Sequence, residues 1–254
     1  MRRSALTALA VALASFACRT PLPPLAPLAP EDPRPAQLLA SFAVEVEARR
    51  GLRGRARLSV DAAGGDVRLR GKQVIVLEKP ERLRVEIKAL FDQTLAVLVT
   101  DAGQFELLRA DDQSYRRGAI EPGLLWETAW LDLTPSDAIE LLLAAPSIGE
   151  RATLRAARGD AEGGVELDLA GGDGQLGWRL RFDAEGRLSW LERFDAAGTR
   201  EWRVEYSDYI DVGASMFPHR LRLITAADTR AEVKLSDVEL NPELPGELFR
   251  LRPR

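Results

Sequence analysis

Residues that could carry catalysis are scarce in this chain. His219 is the only histidine and Cys18 the only cysteine among 254 residues. A serine-hydrolase triad would need His219 and a Gly-x-Ser-x-Gly elbow, and the sequence contains no such elbow, P-loop or dinucleotide fingerprint. One cysteine and one histidine also cannot supply a zinc site of the usual composition. The sequence therefore predicts a protein that is not an enzyme and holds no metal or other cofactor.

Charged residues are abundant and of mixed sign. The chain has 35 Lys and Arg against 39 Asp and Glu, and we see no basic stripe along it of the kind that nucleic-acid-binding proteins need. We therefore predict no nucleic-acid partner. Asp111, Asp112 and Asp160 stand in turn-like contexts, where we expect solvated carboxylates rather than catalytic ones.

The first residues have the layout of a secretory signal. Arg2 and Arg3 precede an uncharged apolar segment, residues 4–17, that is shorter than the roughly 20 residues needed to span a bilayer. Cys18 follows small residues, an arrangement that resembles the lipobox of bacterial lipoproteins, in which the cysteine becomes an acylated N-terminus. We predict a lipoprotein signal peptide over residues 1–17 and lipidation of Cys18. An ordinary signal peptide that is cut nearby is the alternative.

Proline dominates the segment after Cys18. Residues 20–36 read TPLPPLAPLAPEDPRPA, a composition that favours extended polyproline II. The segment is either a stiff spacer that holds the domain away from a membrane or a linker without a selected length. We predict a linker over residues 18–36 and a folded domain over residues 37–254. With no second cysteine there is no internal disulfide, so the domain depends on its hydrophobic core.

Alternation of apolar and polar residues with period two runs through most of the domain. The clearest case is Arg82–Lys88, where Leu83, Val85 and Ile87 share one face and charged residues share the other. A strand with one apolar face and one solvent-exposed face is typical of an antiparallel sheet. Many short strands separated by Asp- and Gly-containing turns indicate a barrel or a large curved sheet. The further predicted strands are residues 55–60, 95–100, 104–109, 165–170, 176–182, 188–194, 201–206, 221–225 and 231–235.

Helices are predicted at three places. Residues 37–50 carry an amphipathic pattern, and Thr134 followed by Pro135 is a typical helix start before a short apolar run. Residues 123–131 are too apolar for an exposed loop, so they form another short helix or pack over the sheet.

The apolar face of a single curved sheet must be covered by other elements. Where helices cover it loosely, the space between them is a cavity of lipid size. Candidates for its wall are apolar residues of strands and helices together with the five tryptophans, and ordinary core packing is the alternative for each tryptophan. The candidate wall residues are Leu83, Val85, Ile87, Val97, Phe105, Leu125, Trp126, Trp130, Leu142, Trp178, Trp190 and Trp202.

The connection after the strand Arg82–Lys88 is unusual because it places two large apolar residues, Leu90 and Phe91, between strands. An apolar pair at a loop tip can enter a membrane or contact a partner. The alternative is that both side chains tuck inward.

Taken together, these features resemble the LolA/LolB-like superfamily of bacterial envelope lipoproteins, and LolB-like outer-membrane lipoproteins in particular. The resemblance covers residues 37–254, in addition to the lipobox-like Cys18 and the proline-rich segment. It rests on residues 79–87 with the apolar connection that follows, on the LTPSDAIELLLA helix and on residues 241–249. Asp92 stands where the family tends to have glycine.

The resemblance implies an α+β fold, an incomplete antiparallel β-barrel whose strongly curved sheet has helices over a hydrophobic concave face. It implies acyl chains as ligands, a periplasmic LolA-like carrier as partner, and a lipid-anchored position on the periplasmic face of the outer membrane. In LolB-like proteins, lipoproteins pass from the carrier into the outer membrane. A loop near the position of Leu90 and Phe91 takes part in this transfer. The competing hypothesis is a non-catalytic interaction or sensor lipoprotein of the same fold without lipid cargo.

Overall fold

The computed structural model describes residues 24–62, 65, 67–129, 131–149, 151–172 and 174–251. Within these residues, fourteen strands form one antiparallel sheet that does not close on itself. Its strand order is β1-β8-β9-β10-β11-β12-β13-β14-β2-β3-β4-β5-β6-β7. The predicted fold class, an incomplete antiparallel barrel with a few helices, is therefore confirmed.

The strands vary in length from two to thirteen residues. The first seven are β1 (Ala26–Pro27), β2 (Gly51–Ala62), β3 (Val67–Glu78), β4 (Arg82–Lys88), β5 (Thr94–Asp101), β6 (Gln104–Arg109) and β7 (Tyr115–Ala119). The other seven are β8 (Thr153–Gly159), β9 (Val165–Ala170), β10 (Leu176–Phe182), β11 (Leu188–Phe194), β12 (Arg200–Val212), β13 (Ser215–Thr225) and β14 (Arg230–Leu240).

Three α-helices accompany the sheet: α1 (Arg34–Ala48), α2 (Leu124–Ala129) and α3 (Pro135–Leu142). The predicted start of α3 is confirmed, since the Thr134 hydroxyl accepts a hydrogen bond from the Asp137 amide in a capping box. Two short 3₁₀ turns, Leu90–Asp92 and Gly246–Phe249, lie between β4 and β5 and near the C-terminus. None of the described helices is long and apolar enough to cross a membrane.

The folded part begins earlier than the sequence suggested. Ala26 and Pro27, in the proline-rich segment, pair with Gly159 and Arg158 of β8, and Leu28 packs against the core. The described end of the predicted linker is therefore docked on the sheet rather than extended away from it. Helix α1 likewise starts at Arg34, because a proline in the first helical turn needs no amide partner.

The main core lies on the concave face of the sheet. Phe42 of α1 meets Phe182 of β10 edge to face, with ring centroids 5.9 Å apart, and Ile139 of α3 is fully buried. A smaller cluster lies on the opposite, outer face, where Phe249 packs against Val97 and Val99. The C-terminal segment thus acts as a strap across the outside of β4 and β5.

Candidate functional site

A cavity of about 140 Å³ lies between the concave face of the sheet and the segment that carries α2 and α3. Strands β2 to β6 and β12 to β14 supply its floor, and residues 125–142 supply its cover. The wall-lining residues are Leu58, Gln73, Ile75, Leu83, Val85, Ile87, Ala96, Leu98, Leu107, Arg109, Leu125, Thr128, Ala129, Leu131, Leu133, Ala138, Leu141, Leu142, Val204, Leu221, Leu223, Ala231 and Val233.

The described wall is almost entirely aliphatic. Its polar members are Gln73, Thr128 and Arg109. The Thr128 hydroxyl donates to the Leu124 carbonyl over 3.0 Å within α2, and Arg109 is exposed at the rim. The Gln73 side chain is 93% buried, and its amide has no hydrogen-bond partner among the described residues. The cavity is therefore suited to an apolar guest and offers one free amide inside.

Cross-strand register explains how the wall is assembled. Val85 of β4 stands opposite Ile75 of β3 on one side and Leu98 of β5 on the other, and Leu98 stands opposite Leu107 of β6. Directly opposite residues point to the same face, so this row presents four branched aliphatic side chains to the cavity.

Five of the candidate wall residues lie on the cavity wall: Leu83, Val85, Ile87, Leu125 and Leu142. Phe105 lies beside the cavity, in a buried cluster with Leu98, Leu107, Leu124 and Leu125.

The side chain of Val97 faces away from the cavity. Its neighbours Ala96 and Leu98 line the cavity, so the period-two alternation of β5 turns Val97 to the outer face, where it packs in the cluster with Phe249.

The tryptophans that the structure describes do not line the cavity. Trp202 is buried in the main core and meets Trp178 edge to face, with ring centroids 5.7 Å apart. Trp190 lies on the outer face, where the Arg203 guanidinium stacks 4.1 Å from its ring centroid. Trp126 is about one-third exposed on α2. Aromatic rings here serve packing and cation–π contacts, and aliphatic residues form the wall.

Three further candidates, Cys18, Trp130 and the side chain of Leu90, lie outside the described residues. The structure describes the rest of the connection between β4 and β5. Phe91 is 95% exposed there, and the next large apolar residue, Leu95, is also exposed. Phe91 and Asp92 both have positive φ, 61° and 59°, which is the region that glycine adopts most readily and that aspartate tolerates. The connection therefore presents an aromatic ring to solvent.

The end of α3 is held by three long polar side chains, from β12, from the end of α1 and from the turn between β3 and β4. The Tyr206 hydroxyl donates to the Leu141 carbonyl (3.1 Å), Arg49 Nη1 donates to the Ala144 carbonyl (2.9 Å), and Lys79 Nζ donates to the Ala145 carbonyl (2.8 Å). Burial raises the pKa of Tyr206 and lowers the pKa of Lys79. The contacts from Arg49 and Lys79 satisfy carbonyls just beyond the helix end, and the Leu141 carbonyl also accepts the Ala144 amide at 3.0 Å.

The residues with catalytic potential have structural contacts. His219 Nδ1 lies 3.0 Å from the Phe217 carbonyl, and the two rings meet edge to face. Asp160 was expected to be solvated, yet its side chain is 3% exposed and pairs with Arg181 because β10 brings that guanidinium to the turn. Among the described residues, no group of three or more His, Cys, Asp or Glu could hold a metal.

Comparison with known proteins gives matches at the level of structure. No protein-family model matches the sequence, and a search of curated proteins finds no relative. A LolA superfamily protein from Nitrosomonas europaea matches with a TM-score of 0.56 and 14% identity, over 84% of this chain and 97% of its own. A DUF1329 family protein from Desulfovibrio piger matches with a TM-score of 0.59 and 12% identity, over 86% and 98%.

A third solved structure is a domain from Vibrio parahaemolyticus that is assigned to an outer membrane lipoprotein-sorting protein. It matches with a TM-score of 0.52 and 13% identity, over 84% of this chain and 94% of its own. The chain has the fold of the LolA superfamily. The resemblance predicted from the sequence is thereby confirmed at the level of the fold.

Within this LolA-like fold, sequence reasoning missed several residues of the cavity wall, among them those that β13 and β14 supply. Leu221 and Leu223 of β13 and Val233 of β14 line it, as do Gln73 and Arg109. The apolar alternation of β13 and β14 is visible in the sequence and could have identified the first three. No local sequence pattern identifies Gln73 or Arg109 as wall residues, because only the cross-strand register brings both to the cavity.

Proposed function

We propose that the protein binds acyl chains in the cavity and acts in lipoprotein localisation or lipid transfer in the bacterial envelope. The observation that carries this proposal is the aliphatic wall, in which Gln73, Thr128 and Arg109 are the polar members among the described residues. A saturated chain gains about 0.8 kcal/mol for each methylene that it buries and needs no polar partner along its length. The proposed activity is binding and release, with no catalytic step.

The cavity volume indicates how binding would proceed. An engineered cavity of about 150 Å³ in another protein holds benzene, so the 140 Å³ here takes a short stretch of chain. A complete acyl chain therefore requires the cover, residues 125–142, to move away from the sheet. The names of the solved relatives from Nitrosomonas europaea and Vibrio parahaemolyticus support the assignment to this class of proteins.

Filling the cavity tests the proposal. We expect Val85→Phe to place a ring in the cavity and to exclude chains, while Val44→Phe, on the exposed face of α1, leaves chain binding intact. The measurement is native mass spectrometry of the full chain carrying Cys18→Ser, purified from a bacterial periplasm without detergent. Adducts with the masses of acyl lipids on the Val44→Phe protein and none on Val85→Phe would support chain binding. A clean apo mass for the parent chain after incubation with lipids would refute it.

We also propose that Cys18 carries a lipid anchor, which holds the protein on the periplasmic face of the outer membrane. Its proposed partner is a LolA-like carrier. The order of charged, apolar and small residues before Cys18 supports the anchor. We expect Cys18→Ser to release the protein into the soluble periplasmic fraction, while the parent chain sediments with outer membranes. Sedimentation of Cys18→Ser with membranes would contradict the anchor.

The exposed ring of Phe91 supports a further role for the connection between β4 and β5. We propose that this connection touches the bilayer or the partner during transfer. Ile87 and Ala96 lie at the adjoining strand ends and line the cavity, and Ala96 pairs with Arg109 at the rim. The loop would therefore meet a membrane at the side from which a chain enters or leaves.

A second candidate function is a non-catalytic interaction or sensor lipoprotein that uses the fold without lipid cargo. The small cavity volume favours it, because the remainder of the concave face is filled by core residues. A clean apo mass in the experiment above would make this candidate the leading one.

A further inference from the structure

The sheet assembles a row of cations that the linear sequence does not reveal. Arg220 stands opposite Lys234, Lys234 opposite Arg57, Arg57 opposite Lys72, and Lys72 opposite Lys88. The five residues belong to five adjacent strands, from β13 through β14, β2 and β3 to β4. Since directly opposite residues share a face, these five side chains form one transverse line, which we call the basic row.

The basic row lies on the outer face of the sheet. Leu58 and Gln73, the chain neighbours of Arg57 and Lys72, line the cavity, so Arg57 and Lys72 point away from it. The adjacent line on the same face adds two basic residues and one acid. It consists of Arg222, Glu232, Ser59 and Arg70 in direct register.

Local acids neutralise only part of this surface. Glu232 contacts Arg220, Arg222 and Lys234 at 2.6, 3.1 and 3.1 Å, and Glu86 contacts Lys88 at 2.6 Å. Three basic residues between these two acids are exposed and make no ion pair or side-chain hydrogen bond with any described residue. They are Arg57, Arg70 and Lys72.

Such an arrangement weakens the fold when it stands alone. Like charges directly opposite each other on neighbouring strands are destabilising. Arg57 has a lysine opposite it on each side, Lys234 on β14 and Lys72 on β3. An external anion would relieve the repulsion. Because the row spans five strands at about 4.8 Å each, the matching partner is an extended array of negative charges.

Apolar groups adjoin the charges. A groove contains Arg57, Arg70 and Lys72 together with the acid Glu232, with Ala89 of the connection that carries Phe91 and with Leu95 at the start of β5. Cations beside apolar residues match the layered chemistry of a membrane surface, where phosphates lie above the acyl region.

We propose that the basic row and the adjoining Arg70 bind the anionic headgroups of a phospholipid bilayer, with Phe91 at the level of the acyl boundary. This inference rests on the proposed function in assuming that the protein works at a membrane. It adds the face that meets the membrane and the lipid charge that this face recognises.

The test uses the full chain carrying Cys18→Ser, with vesicles of phosphatidylcholine alone or with phosphatidylglycerol added. We expect the protein to cosediment with the anionic vesicles and to be released by high salt, because screening weakens contacts between exposed charges. Changing Arg57, Arg70 and Lys72 together to Gln should lower the partition constant roughly a hundredfold, the combined effect of three basic residues at an anionic surface.

The matched control changes Arg50, Arg151 and Arg155 to Gln, which removes the same charge from exposed positions outside the basic row. It should bind anionic vesicles nearly as well as the parent chain. Equal loss in the two triple variants, or equal binding to neutral and anionic vesicles, would overturn the proposal. Melting temperatures of both triple variants at or above that of the parent chain confirm that folding is preserved, because removing Arg57, Arg70 and Lys72 also relieves like-charge repulsion.

The two proposals fail separately. A triple variant that keeps its lipid adducts in mass spectrometry but loses anionic vesicles supports the headgroup surface independently of the cavity. A parent chain that carries no lipid but binds anionic vesicles refutes acyl binding and leaves the headgroup surface standing.

Discussion

Gln73 introduces a polar amide into a wall that is built almost entirely from aliphatic side chains. The side chain is 7% exposed, and its amide has no partner among the described residues. Its amide atoms are not among the fully buried, unpartnered polar atoms of the described residues, so they face the cavity space. The position therefore offers a hydrogen bond to the polar end of a guest.

We expect Gln73→Leu to raise the free energy of unfolding of the empty protein by about 1 kcal/mol, because an apolar side chain then packs in the largely aliphatic wall. Thermal and urea unfolding of lipid-free protein measure the change. Gln104→Leu is the matched control, since Gln104 is exposed and contacts only its neighbour's carbonyl. A loss of stability in Gln73→Leu would mean that ordered water satisfies the amide.

Apolar alternation along a strand predicted part of the cavity wall. Leu83, Val85 and Ile87 were found from alternation, and they do line the cavity. Tryptophans were candidates because they are large and apolar, yet Trp190 lies outside under Arg203 and Trp202 packs in the core. The face that a strand residue occupies depends on register, which size and hydrophobicity do not determine.

At the scale of elements, Lys79 connects two helix ends to the sheet. Its Nζ donates to the Val46 carbonyl at the end of α1 (3.2 Å) and to the Ala145 carbonyl after α3 (2.8 Å). We expect Lys79→Met to lower the free energy of unfolding by about 1–3 kcal/mol, because both carbonyls lose a donor. Arg50→Met, at an exposed position whose side chain has no described partner, should change it by less than about 0.5 kcal/mol. Equal effects of the two substitutions would contradict this role.

The same residue gives stability a pH dependence. Burial lowers the pKa of Lys79 from its usual value of 10.5, so above the lowered pKa the unfolded chain holds a proton that the folded protein has lost. Stability contributed by this group therefore rises as pH approaches 10.5. Unfolding measured across this alkaline range should show the rise in the parent chain and a smaller rise in Lys79→Met.

Elements with clean alternation were predicted well. The predicted bounds of β4, β6, β9, β10 and β11 agree with those of the structure. Strand β3 was missed because Gly71 and Gln73 interrupt its apolar face, and β1 because proline disfavours a strand. The basic row was invisible because its members are far apart in the chain and meet only through register.

At the scale of the whole molecule, an open sheet of fourteen strands has two edges that could pair with other chains. One edge is β1, which has two residues and contains Pro27, together with the part of β8 that β1 does not reach, where Arg155 is exposed. The other is β7, which has five residues and carries Arg116 and Arg117. Short edges, proline and charge each hinder pairing between sheets, so the fold limits aggregation without closing into a barrel.

The C-terminal strap holds the outer face of the sheet. Phe249 is 2% exposed against Val76, Val97 and Val99. We expect Phe249→Ala to cost about 3 kcal/mol or more of stability, because a buried ring is replaced by a cavity. Phe91→Ala, which truncates a 95% exposed ring, should leave stability unchanged. Urea unfolding of the two variants provides the comparison, and a Phe249→Ala protein as stable as Phe91→Ala would contradict the strap.

The pairing of β1 with β8 sets the length of the tether that a lipid on Cys18 would provide. From Cys18 to Ala26 the chain has eight residue steps and reaches at most about 29 Å, whereas a linker running to Gln37 would reach about 68 Å. With a tether of at most this length, the effective concentration of the membrane surface at the basic row would be in the millimolar range. Headgroup contacts that are individually weak would then be sufficient to orient the domain on the bilayer.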